Sequence, residues 1–87
     1  VRLLPFHFNR TFRVSEPTEG PSLLPLYKKK ILVEVLQNVE QHLLHSEELK
    51  GADILGLELE FREESSPYDP HPLYRWIAIL NYEKESQ

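Results

Sequence analysis

Between Leu4 and Val14 the chain alternates: Leu4, Phe6, Phe8, Phe12 and Val14 fall on one parity, Pro5, His7, Asn9, Thr11 and Arg13 on the other. Successive side chains of a strand point to opposite faces, so this spacing predicts a strand with one face in a core and one in water. Arg10 breaks the apolar parity. The break predicts a bulge at the strand's middle, or else an arginine whose stem lies over apolar neighbours. Residues 15–24, with Glu-Pro-Thr-Glu-Gly-Pro-Ser at their centre, read as a loop.

The period then changes. Leu24, Tyr27, Ile31, Leu32, Val35, Leu36, Val39 and Leu43 recur at spacings of three and four, and Lys29, Lys30, Glu34, Asn38, Glu40, Gln41 and His45 fill the other side. That is one long amphipathic helix. Pro25 suits its first turn, where a missing N–H has no partner to lose, and Ser22 is placed to cap it. The helix stops near His45 or restarts at Ser46, with Gly51 expected to end it in the left-handed conformation.

Ile54 to Arg62 alternates again, with Leu55, Leu57, Leu59 and Phe61 on an expected dry face and Gly56, Glu58, Glu60 and Arg62 on a wet one. Leu73 to Tyr82 is apolar on both parities, the pattern of a strand covered on both sides. The order is therefore β-α-β-β, an α+β domain over residues 1–87. A right-handed crossover through the helix makes the first two strands parallel, with the third between them and antiparallel to both. The expected fold is a three-stranded mixed split β-α-β sheet with the helix on one face, a proline-rich loop at 63–72 and a frayed tail at 83–87.

A single helix covers a single sheet face, and the other must meet something. With Ile77 and Ile79 assigned to the helix, Tyr74, Trp76, Leu80 and Tyr82 would line the far face, flanked by His7 and Thr11 on one side and Glu58 and Glu60 on the other. Rings set in a polar rim match the make-up of protein interfaces, and a two-fold dimer is the commonest way to cover such a face. Tyr68 and His71 would form its rim. On this reading Trp76→Ala turns an oligomer into a monomer without unfolding it.

Bulk composition narrows the functions. At 87 residues, 40% hydrophobic and 28% charged, the chain supports one folded core, small enough to recruit a second copy or a partner. The net charge of −4 argues against nucleic acid, whose binding is driven largely by lysine and arginine displacing counterions. Without cysteine there is neither a disulfide nor a thiolate metal site, which suits a reducing compartment and a cytoplasmic location. No apolar run reaches the roughly 20 residues that span a bilayer, so no membrane partner is expected. Val1, in place of methionine, reads as a processed or excised start.

Candidate chemistry is sparse. Glu64 to Trp76 holds Pro67, Pro70 and Pro72 with Tyr68, Asp69 and His71. Asp69 and His71 have the chemistry of an acid and base pair, but no nucleophile stands beside them, and the prolines mark a stiff turn that touches a partner. His42 and His45 lie three apart on the helix without a distinctive third metal ligand. Lys28, Lys29 and Lys30 near the helix start, together with His7, are the candidate contacts for an anion or ligand. Asn9-Arg10-Thr11 fits the glycosylation pattern but lacks an accompanying secretory signal. The expected function is a non-catalytic association module, pairing with itself or another protein subunit and needing no cofactor. Two other readings remain: a small-molecule binder or enzyme with a pocket between subunits, built from His7, Glu58, Asp69 and His71 around the aromatic wall, and an adaptor whose edge strand accepts a partner strand.

Overall fold

The computed structural model describes residues 2–64, 66–68 and 70–84, with side chains from Pro5 onward. Strand β1 (Arg2–Arg13), helix α1 (Leu24–His45), strand β2 (Asp53–Glu63) and strand β3 (Leu73–Lys84) follow in that order. The sheet runs β1-β3-β2, with both outer strands antiparallel to β3 and therefore parallel to each other. This is the α+β, β-α-β-β arrangement that the periodicities predict. β3 continues past Tyr82, pairing Glu83 with Leu3 and Lys84 with Arg2, so the described part of the expected tail is strand. Residues 85–87 and the side chain of Leu4 lie outside the described residues.

The expected bulge at Arg10 is absent, because β1 keeps one register from Arg2 opposite Lys84 to Arg13 opposite Leu73. Arg10 stays on the helix side and brings Nη2 to 3.5 Å from Glu34 Oε2. The irregularity sits in β2, between Ile54 and Gly56. A glycine offers no side chain to hold a ladder position, and here the strand slips by one residue. Leu55 drops out of the alternation, and Ile54 takes its place on the face shared by Leu57, Leu59 and Phe61.

The loop supplies the helix start. Leu23 is the N-cap residue, and the Ser22 hydroxyl accepts the Leu24 N–H at 3.1 Å. Glu16 reaches back from the loop: its carboxylate accepts the Ser22 hydroxyl at 2.6 Å and the Leu23 N–H at 3.0 Å. These bonds hold its pKa below the ordinary carboxylate value, the Ser22 bond most of all. At the other end the Ser46 N–H donates to His42 O at 2.9 Å and the helix stops at His45. Gly51, at φ +76°, closes the turn that follows rather than the helix itself.

Helix α1 lies over β1 and β3 and leaves β2 uncovered. Ile31, Val35 and Val39 pack on Phe8, Trp76, Ala78, Leu80 and Tyr82, with Leu49 of the turn sealing one end. Along β3 every even position from Tyr74 to Tyr82 is buried and every odd one is half-buried. The expected parity of β3 is thus reversed: Ile77 and Ile79 face away from the helix. The reason lies in their company, since Arg75 and Asn81 share their face and would be desolvated under a helix.

Candidate interaction surface

The four residues expected to anchor a partner belong to the core. Trp76, 8% exposed, donates its Nε1–H to Lys28 O at 2.9 Å. Tyr74 stacks on Phe61 with ring centroids 5.5 Å apart, Leu80 is sealed under α1, and Tyr82 stacks on Phe6 at 5.6 Å while its hydroxyl donates to Glu48 Oε1 at 3.3 Å. Burial pushes the Tyr74 phenol's pKa up, with Glu63 and Glu16 adding to the effect. Rings held this way stabilise the monomer and are out of a partner's reach.

The remaining candidates are scattered. Tyr68 is 94% exposed, its N–H bonded to Ser66 Oγ at 3.2 Å, and His71 is exposed with its carbonyl accepting from Arg13 Nη1 at 2.9 Å. Asp69, the other half of the candidate acid and base pair, lies outside the described residues. Lys28 is not poised for an anion: its ammonium stands 4.5 Å from the Phe61 ring centroid and 5.8 Å from that of Trp76, a cation on aromatic faces. Lys29 is exposed one residue on, whereas His7 lies opposite Ile79 on the far face, so the sheet separates it from both lysines. His42 meets the edge of Phe8 at 4.9 Å. Among the described residues no three His, Cys, Asp or Glu side chains converge as a metal site would require.

The far face is polar around its two isoleucines. Glu60 takes both Nε and Nη2 of Arg62, at 2.9 and 3.2 Å, and Arg75 pairs with Glu64 at 2.9 Å. A depression beside β1 and α1 is polar as well. Its volume is about 550 Å³, and it is lined by Arg10, Glu34, Gln37, Asn38, Glu40 and Gln41, without the apolar walls that bury a small ligand.

The apolar surface lies where the helix fails to reach. Ile54, Leu57 and Leu59 point to the helix side of the sheet, yet remain 42%, 39% and 45% exposed because α1 sits over β1 and β3. The leucines of the β2 face expected to be dry are therefore wet, whereas Phe61 of that face is half-buried against the core. On α1, Leu36 and Leu43 toward the β2 side and Leu26, Val33 and Leu44 on the back of the helix are exposed too. Leu26, Val33 and Leu44 fall outside the helix's main stripe; the signal for the first two was a second heptad series, Leu26, Val33, Leu36 and Leu43, laid over the first, and Leu44 belongs to neither. Among the described residues no helix is long and apolar enough to cross a membrane. Comparison of the chain with protein-family models, with curated proteins and with solved structures finds no match.

Proposed function

We propose that this domain is a non-catalytic protein–protein association module, and that it docks through the uncovered flank formed by β2 and the adjoining side of α1. One observation carries the reading: Ile54, Leu57 and Leu59 stand on the core side of the sheet with no element above them. Together with Leu36 on the adjoining side of α1 they form an exposed apolar row, the kind of surface that marks interaction sites. The partner is a protein surface, either a second copy or another subunit. The absence of cysteine suits a reducing, cytoplasmic setting.

The test places a charge on the flank. Leu57→Glu and Leu59→Glu change half-exposed positions on an edge strand, so each alters folding stability by about 1 kcal/mol. The variants keep their circular dichroism spectrum and lose the association that the unmodified protein shows in sedimentation at rising concentration. Variants that still self-associate as the unmodified protein does would contradict the assignment.

A further inference from the structure

The exposed side of α1 repeats at alternating intervals of three and four: Leu26, Lys29, Val33, Leu36, Glu40, Leu43. All six are exposed, and the run spans about 25 Å at 1.5 Å per residue. Such spacing is that of a helix–helix seam, in which these positions enter the holes of a facing helix. The seam is separate from the stripe of Ile31, Val35 and Val39 that packs on the sheet. It also lies away from β1: Leu36 is two residues, about 200° round the helix, from Glu34, which is held on the β1 side by Arg10. The Leu36 and Leu43 end of the seam is therefore on the flank next to β2, and the Leu26 and Val33 end turns onto the back of the helix.

Resting on the association reading above, we propose that the occupant of this flank is a second copy of the same chain, its α1 laid antiparallel along the first. The series is self-complementary about its midpoint. Antiparallel docking sets Leu26 against Leu43 of the second copy, Val33 against Leu36, and Lys29 against Glu40, each contact occurring twice. Charges within a seam decide orientation. Parallel docking sets lysine on lysine and glutamate on glutamate, whereas antiparallel docking pairs every charge with its opposite. The two-fold axis lies perpendicular to the helix pair, so both sheets fall on one side of it and the two β2 rows turn toward each other. One symmetry operation thus closes the helix seam and brings the β2 leucines of the two copies to the same side of the pair, as a closed isologous interface does.

Charge reversal tests the pairing directly. K29E and E40K each leave two like-charge contacts in their own dimer and weaken self-association on the order of tenfold in a sedimentation dilution series. Mixed in equal amounts, the two variants associate again, because each contact between unlike variants joins opposite charges. Both changes are at exposed helix positions, and circular dichroism checks that the helix content is kept. A dimer that is indifferent to either reversal overturns the seam, and if Leu57→Glu still dissociates it, the flank's role in association stands without the helix pairing. A protein that is monomeric at every concentration overturns the second copy as occupant. If that monomer also leaves the fluorescence of anilinonaphthalene sulfonate unchanged, the apolar docking surface falls with it.

Discussion

At the scale of single residues, Trp76 shows how one side chain serves strand, helix and sheet packing together. Its ring lies under α1, its Nε1–H meets Lys28 O at the helix's first turns, and the Lys28 ammonium covers the neighbouring Phe61. Trp76→Ala therefore empties a core site, which costs about 3–5 kcal/mol, a large share of the roughly 5–15 kcal/mol of a typical domain. Urea titration should show a lower midpoint or no folded baseline, in place of the folded monomer that an exposed tryptophan would leave. Trp76→Phe keeps most of the apolar volume and loses the hydrogen bond, at about 1–2 kcal/mol. The burial of this parity was legible in its neighbours. Arg75 and Asn81 mark the opposite parity as the wet one, a stronger signal than the apolar character of Ile77 and Ile79.

At the scale of elements, the strands and helix were readable because each carries its own period: two for β1 and β2, three to four for α1, and apolar runs on both parities for the central β3. Two features were not. The slip at Gly56 depends on how β2 meets β3, and a ten-residue stretch such as 63–72 does not dictate register as a tight hairpin would. The start of α1 rests on Glu16, which lies six residues before Ser22, beyond the spacing of any local cap. Because the folded state depresses the Glu16 pKa, its contribution is present above the unfolded value of about 4.3 and is lost as pH falls through the folded value. Glu16→Gln should accordingly lower the melting temperature at pH 7 and have a smaller effect at pH 3. Calorimetry at the two pH values checks this, and an equal loss at both would show that the charge plays no part.

At the scale of the whole molecule, the sheet has three strands and one helix, and the helix sits off centre. Local periodicity says which side of an element is apolar but not where one element lies across another, so the uncovered flank could not be read from the chain alone. An association surface was expected from the shortage of covering elements, and that shortage is present on the opposite face and at a different edge. The exposed apolar side chains are leucines of β2 and α1 rather than the tyrosines and tryptophan of β3. The most direct measurement is the absolute mass of the unmodified protein by light scattering across a concentration series. Self-association through the flank predicts a mass that rises with concentration to twice that of the 10.3 kDa chain and levels there. A mass fixed at one chain throughout would contradict it.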